Sequence, residues 1–425
     1  MKKLFRIIVL SALCIINGTN LQGQSFYAGA ALRKITPDPL LPVSGGIGLP
    51  KAATEKKGDL FARALVLKKG NTSVAIVSVD NLGWPAVLGD KSRALIKDIP
   101  AENIIICATH THSAPDSYAF PDEDGKTGAD MNYLNWCAKM IAEAVNEASR
   151  NMEASFVKIA VGNASKGIAY NYYAPELYDP RCGVIQFIAT EGQNKGKTIA
   201  TLVNYAIHPE VIGSGRGILS PDLCGPLYDR IESKTGGMAM FINSAQGGMV
   251  TADTRREGGK EENTWEECKR IGELLGDEAL RLVEKSQPVD NPGLFCASRT
   301  VKFPVETPAM KFILQNSPMK YTTSNDGFIS TRINLVNLGS AQIITIPGEA
   351  LPNIGFFLKR KMNADQPFIF GLANDAFGYI LTRVDFNSFK RYDYISRTSL
   401  GENTGEILID EELKLIKESP VPAIR

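Results

Sequence analysis

Histidine is nearly absent: the chain of 425 residues has three. An excess of either charge is lacking too. There are 47 Lys plus Arg against 46 Asp plus Glu, a net charge of +1, which gives no support to nucleic-acid binding or to broad attraction to an anionic membrane. No internal repeat, low-complexity tract or Pro/Gly/Ser linker divides the chain. Repeat arrays are thereby excluded, leaving one large core or two joined closely. The seven cysteines form no C-x-x-C pair, so there is neither a zinc knuckle nor a dithiol redox motif. Six of them, Cys107, Cys137, Cys182, Cys224, Cys268 and Cys296, read as small buried hydrophobes, with a disulfide or two left open in an oxidising compartment. At 44% hydrophobic and 22% charged, the chain is neither disordered nor fibrous.

Long apolar runs are missing as well. The stretch Ile7 to Ile16 is interrupted by Ser11 and is too short to span a bilayer. Lys2, Lys3 and Arg6 precede it and a polar exit follows, so residues 1–24 read as a secretory signal peptide cut near Gln24. Cys14 could mark a lipoprotein, but Leu13 is bulky where such signals want a small residue. Removing the signal takes three basic residues and no acidic one, so the charge becomes −2. A secreted or periplasmic protein is expected, with residues 25–425 forming one domain.

What is present is an alternation of β-branched apolar runs and amphipathic stretches. The runs are Ser73–Asp80, Asn103–Thr109, Phe156–Val161, Gly183–Ile188, Thr198–Ile207, Met238–Asn243, Thr331–Leu338 and Ala341–Ile346. Such short continuous runs fit strands covered on both faces. Helical spacing marks Val87–Ile99, Met131–Arg150, Gly225–Lys234, Asn263–Lys285 and Pro352–Met362. In Asn263–Lys285 the hydrophobes Trp265, Ile271, Leu274, Leu275 and Leu282 read as core packing. The pattern predicts a layered α/β domain, a mixed central sheet flanked by helices, with its site at strand ends.

All three histidines sit where apolar strands end. Strand Asn103–Thr109 runs into His110-Thr111-His112, and two residues apart on an extended segment face one way. Strand Thr198–Ile207 closes on His208-Pro209, the proline helping to end it. Imidazole is a favoured zinc ligand, and a catalytic zinc takes three or four protein ligands. Strand Ala341–Ile346 exits through Pro347-Gly348-Glu349, which lifts a carboxylate off the sheet end. Taken alone, Glu349 would be a residue complementing a helix dipole and Tyr379 an amphipathic core tyrosine.

Together these residues resemble the neutral ceramidases, zinc amidases that hydrolyse the N-acyl bond of ceramide. The resemblance runs from Tyr27-Ala28-Gly29-Ala30 to about Thr404. It rests on Leu60-Phe61-Ala62-Arg63-Ala64, Val77-Ser78-Val79-Asp80, Thr109-His110-Thr111-His112-Ser113 with Pro115, Ala206-Ile207-His208, Pro347-Gly348-Glu349, Gly371-Leu372 with Asn374, Tyr379-Ile380 and Arg391-Tyr392. It implies the family's catalytic domain without the C-terminal immunoglobulin-like domain. It also implies zinc on His110, His208, Glu349 and Tyr379, with His112 beside the metal as hydrogen-bond donor or proton shuttle. Asp80 and Asp222 match acidic family positions.

The departures are specific. Where the family reads G-D-V-S-P with a catalytic serine, this chain has Gly247-Gly248-Met249-Val250-Thr251. Val250 takes the serine's place, Gly248 the aspartate's, and Thr251 is one position off. The family's N-R-S segment reads Asn171-Tyr172-Tyr173, losing its arginine, and Asp116-Ser117 replace two glycines. The expectation is thus a secreted zinc hydrolase cleaving an amide or related acyl bond of a small-molecule or lipid substrate, with His112, Asp80 and Thr251 as catalytic candidates. Asn171, Tyr172 and Arg255 are the substrate-binding candidates. Two alternatives stand beside it. One is a zinc hydrolase acting on a glycoconjugate, whose hydroxyls Asp116, Asn171, Tyr172, Tyr173, Arg255 and Arg256 could bind. The other is a non-catalytic protein that kept the fold.

Overall fold

In the computed structural model, which describes residues 24–256 and 259–422, the large sheet is mixed. Across it the strands are Met238–Asn243, Thr198–Tyr205, Arg181–Ala189, Glu153–Asn163, Phe26–Lys34, Phe61–Lys69, Thr72–Val79 and Ile104–Ala108, with Pro288–Val289 paired beside Glu153–Asn163. Most neighbours are antiparallel. Two pairs are parallel, Thr72–Val79 with Ile104–Ala108 and Thr198–Tyr205 with Met238–Asn243. Parallel neighbours need a crossover, and the helices Ala86–Arg93 and Cys224–Thr235 lie within those two connections.

Strand alternation divides the side chains between the two faces of the sheet. Val77, Ile104, Ile106, Ala62 and Ala64 face the helix Met131–Arg150, while Tyr205, Phe241 and Val203 face the helices Cys224–Thr235 and Trp265–Glu284. The other face carries Phe26, Ile76, Ile105, Phe187 and Leu202, packed on Val336, Ile343 and Phe368 of a second sheet. That sheet has the order Leu294–Pro304, Phe328–Leu338, Ala341–Thr345, Gln366–Phe370. It is covered in turn by the helices Pro352–Lys361 and Thr404–Glu418 through Ile354, Leu358, Leu408 and Leu415. The expected mixed sheet flanked by helices is there, and the second sheet is inserted between it and one helical layer. Contact between the sheets is close at Gly183, where a Cβ would come within 2.4 Å of the Phe368 ring.

Helix boundaries follow local chemistry. Asp130 accepts the backbone N–H groups of Asn132 and Tyr133 and so opens the helix Met131–Arg150. That helix buries Leu134, Ile141 and Val145, worth about 1.5–3 kcal/mol each. The expected helix Val87–Ile99 is shorter, Ala86–Arg93. Asp98 has φ 64°, and the proline at 100 disfavours helical backbone at the residue before it. The six cysteines of the described region are all free, and five are buried. The signal-peptide expectation over residues 1–24, Cys14 included, lies outside the described residues except for Gln24. No helix among the described residues is long and apolar enough to cross a membrane.

The small sheet ends on its own parallel pair, Ala341–Thr345 with Gln366–Phe370, with the helix Pro352–Lys361 between the two strands. The carboxyl ends of all three parallel pairs converge. Asn243 donates to the carbonyls of Thr109 and Ile207, and the amide of Gly371 donates to the carbonyl of Asn243. His110, His208 and Glu349 each follow one of these strand ends, the placement that open α/β sheets use for ligands.

Candidate metal centre

The three histidines reach one point by different local devices. His110 has φ 72°, a left-handed conformation that a non-glycine residue keeps only where its surroundings enforce it. Its N–H donates to Asn81 O at 3.0 Å, and that of Thr109 to Val79 O at 2.9 Å. His110 and His112 were expected to share a pocket through strand alternation. They do share it, with ring centroids 4.8 Å apart, but through a kink at His110 instead of an extended backbone. The N–H of His112 donates to Pro209 O, joining its loop to that of His208. His208 donates its own N–H to Val250 O at 2.8 Å. Asp222 fixes the segment beyond, accepting the N–H groups of Val211 and Ile212.

Glu349 is held in a two-residue parallel ladder opposite Tyr379, and its N–H donates to Gly378 O at 2.8 Å. It lies ahead of the helix Pro352–Lys361 and not in its first turn, so complementing the helix dipole is not its position. The chain before Met249 passes close behind it: a Cβ on Gly247 would stand 2.2 Å from Glu349 O.

The ring nitrogens divide their work. Nδ1 of His110 lies 2.5 Å from Leu82 O and Nδ1 of His208 2.7 Å from Val250 O, so both are assigned as Nδ1–H donors to carbonyls. Their Nε2 atoms turn inward. One ligand nitrogen from each of His110, His112 and His208 can lie within 4.8 Å of the other two. Nε2 of His110 and Nε2 of His112 are 3.3 Å apart. Glu349 Oε2 completes the cluster at 3.1 Å from His208 Nε2 and 3.5 Å from His110 Nε2. Paired inward nitrogens beside a carboxylate, oriented by carbonyls behind them, are the donor set and outer support of a histidine metal site.

Electrostatics here are strong because the groups are buried. Burial pushes the His112 imidazolium down to about 3, with Glu210 opposing. Burial would lower His208 likewise, but its bond to Glu349 and the Glu210 charge raise it to about 9. Burial would raise Glu349, yet His110 and His208 hold its carboxyl well below the ordinary range. Tyr379 is pushed well above 10 by burial and by the Glu349 charge. Its hydroxyl lies 3.4 Å from Met249 Sδ.

A cavity of about 40 Å³ brings His110, His112, Glu349 and Tyr379 together with Tyr118 and Tyr394. A second, of about 220 Å³, is lined by Tyr172, Glu210, Met249, Thr251, Glu261 and Asn263 among others. Glu210 links them, its Oε2 3.4 Å from His112 Nδ1. Glu210 was not singled out in the sequence, although His208-Pro209-Glu210 places it beside a strand-end histidine. Asn243 was also missed as a functional residue. It shows in the sequence only as the last residue of an apolar run.

The other expected site residues are spread more widely. Thr251 and Tyr172 line the larger cavity and not the one holding the histidines. Asn171 is used within its own turn, accepting from the N–H groups of Tyr173 and Ala174 and donating to Leu177 O. Arg255 is paired with Asp253 and stacked on Tyr170, and Arg256 is paired with Glu262. Asp80 is buried, accepting from the Phe61 N–H and the Tyr228 hydroxyl, and lines neither cavity. Asp116 caps its own turn through the N–H groups of Tyr118 and Ala119. Val250 is fully buried in a hydrophobic cluster.

No family model matches the sequence and no curated protein does. Among solved structures, the chain is similar to the neutral ceramidase from Pseudomonas aeruginosa, with a TM-score of 0.74 and 15% identity over 95% of this chain and 76% of that one. A structure described as ceramidase complexed with C2 matches with the same TM-score and identity, over 95% of this chain and 77% of that one. At that identity, the likeness shows that the chain has the neutral ceramidase fold.

Proposed function

We infer that this chain is an exported zinc-dependent hydrolase that cleaves an N-acyl amide bond, with a sphingolipid or related lipid amide as the substrate class. One observation carries the reading: three imidazoles and a carboxylate from three strand ends meet with their donor atoms a few ångströms apart. The shared fold with neutral ceramidases supports it. In this reading residues 25–425 form a single catalytic domain.

His110, His208 and Glu349 would hold the ion, with Tyr379, the ladder partner of Glu349, as fourth ligand. A zinc ion there would polarise the amide carbonyl and acidify water. The chain's own groups supply the rest. His112 faces the cluster through Nε2 and Glu210 through Nδ1, which suits it to take a proton from the attacking water and give it to the leaving nitrogen. Water adds across the C–N bond, leaving a carboxylic acid and an amine. The carbonyls of Leu82 and Val250 hold His110 and His208 in one tautomer. No serine is needed at position 250 for this chemistry.

A second reading, hydrolysis of a glycoconjugate, draws on the polar lining of the larger cavity. Purified protein assayed for metal and for fatty-acid release from an N-acyl panel that includes ceramide separates the two. Stoichiometric zinc and fatty-acid release are expected. Turnover of glycosides with none of N-acyl substrates would overturn the amidase reading, and a metal-free chain unaffected by His110→Ala would overturn both.

A further inference from the structure

Large hydrophobic side chains that face water are not spread evenly over this surface. Apart from Val421 near the C-terminal end, the most exposed are Val384 (81%), Leu49 (74%), Phe389 (64%), Tyr172 (58%) and Ile47 (53%). They come from three segments that meet around the candidate centre. Ile47 lines the same small cavity as His110 and His112, together with Tyr394. A Cβ on Gly46 would stand 3.6 Å from the Tyr394 hydroxyl, so the 45–49 loop lies against the 382–397 segment. Phe389 packs on Tyr392 at 5.4 Å between centroids, Tyr392 on Tyr173 at 5.6 Å, and Tyr173 on Tyr172 at 6.0 Å. Apolar exposure clustered this way marks an interaction surface.

The charge beside it is mixed, with basic residues in excess. Residues 382–397 carry Arg383, Lys390, Arg391 and Arg397 against Asp385 and Asp393. Arg397 pairs with Asp393 at 3.3 Å, and Arg383 bonds Asn403. Lys390 and Arg391 are exposed directly after Phe389. Within a near-neutral chain, Lys390 and Arg391 thus give the apolar patch a short basic rim.

We propose that this rim docks the protein on an anionic lipid surface, with Val384, Phe389 and Leu49 entering the headgroup layer and Lys390 and Arg391 on the phosphates. Exposed apolar anchors flanked by basic side chains bind interfaces by both effects at once. Docked this way, the protein turns the mouth of the histidine-lined cavity toward the lipid. The proposal goes beyond the hydrolase reading, since the surface is the same whichever bond is cleaved.

Sedimentation with large unilamellar vesicles tests it, using the purified chain from Ser25 onward. Wild type should sediment with phosphatidylcholine–phosphatidylglycerol vesicles, and less with phosphatidylcholine alone or in high salt. Lys390→Glu with Arg391→Glu should lower partitioning onto the anionic vesicles about tenfold and leave the neutral ones unchanged. Val384→Ser with Phe389→Ser should lower both about tenfold. Leu49→Ser, on a different loop, should also weaken binding and guards against misfolding of the 382–397 segment. Wild type that sediments with neither vesicle, or variants that bind like wild type, would overturn the proposal. Concentration-dependent dimerisation without vesicle binding would assign the patch to a second copy of the chain. A chain that binds vesicles yet releases no fatty acid sinks only the amidase reading. Turnover of a water-soluble N-acyl substrate without vesicle binding sinks only this one.

Discussion

His208 Nε2 lies 3.1 Å from Glu349 Oε2, across 141 residues of sequence and between two different sheets. The histidine follows a strand of the large sheet and the glutamate a strand of the small one. The candidate centre is therefore a seam, and it forms only when the two sheets pack face to face. Their shared core of Phe187, Leu202, Val336, Ile343 and Phe368 sets that distance.

Breaking the seam should cost both metal and stability. Glu349→Ala leaves a buried histidine pair facing no carboxylate, and loss of one partner of a buried pair costs about 3–5 kcal/mol. The variant should bind less than about a tenth of the zinc held by wild type, as expected when a ligand is lost. Metal analysis beside urea unfolding checks this. Full zinc occupancy in the folded variant would remove Glu349 from the ligand set.

Asn243 should matter without touching the ion. Its amide donates to Thr109 O and Ile207 O, and its Oδ1 accepts the N–H groups of Ile207 and Ser244. Asn243→Ala takes this partner from the Ile207 N–H and from the Thr109 and Ile207 carbonyls, at about 1–3 kcal/mol each before relaxation, while the Ser244 N–H keeps Tyr205 O. Zinc affinity should fall about 10–100-fold, the usual effect of losing outer support, while the ligands stay in place. Unaltered affinity in a destabilised protein would make Asn243 a folding residue only.

What the sequence made legible follows from burial. Runs buried on both faces, such as Met238–Asn243 and Ala341–Ile346, stand out because they are mostly apolar and carry no charge. Leu294–Pro304 does not, since it is mostly half-exposed and carries Ser298, Arg299 and Lys302. That Thr331–Leu338 and Ala341–Ile346 belong to a second sheet was hidden with it. In the site, histidines at strand ends were readable because strand ends were readable. The kink at His110 was not, because a left-handed histidine leaves no compositional mark. Nor were Glu210 and Asn243, whose partners are carbonyls, amides and a ring brought close only by the fold.

Asp80 should make the fold sensitive to pH from inside. Burial pushes its carboxyl from 3.8 up to about 6, against the nearby Arg63 charge and the hydrogen bonds from Phe61 and Tyr228. The fold thus favours the protonated acid. Its contribution is fully present below the unfolded value near 4 and is lost as pH rises through about 6. The difference amounts to about 3 kcal/mol. Asp80→Asn is neutral throughout, so its stability relative to wild type should rise by about that much between pH 3.5 and pH 7. Urea unfolding at both pH values reads it, and a constant difference would show that Asp80 does not titrate there.

Restoring the serine that ceramidases carry should not help this chain. Val250 is fully buried among Val203, Tyr205 and Ile207, and its carbonyl accepts both the backbone N–H and Nδ1 of His208. That backbone role is indifferent to the side chain. Val250→Ser would bury a hydroxyl in an apolar cluster, at about 1–3 kcal/mol, without directing it to the small cavity that Val250 does not line. Turnover of an N-acyl substrate should change less than about threefold, well under the roughly 100-fold scale on which positioned catalytic groups act. The free-energy loss should appear in urea unfolding and not in kcat/KM. A gain of tenfold or more on introducing the hydroxyl would mean that the loop can present residue 250 to the centre, and that this chain lost a nucleophile it can still use.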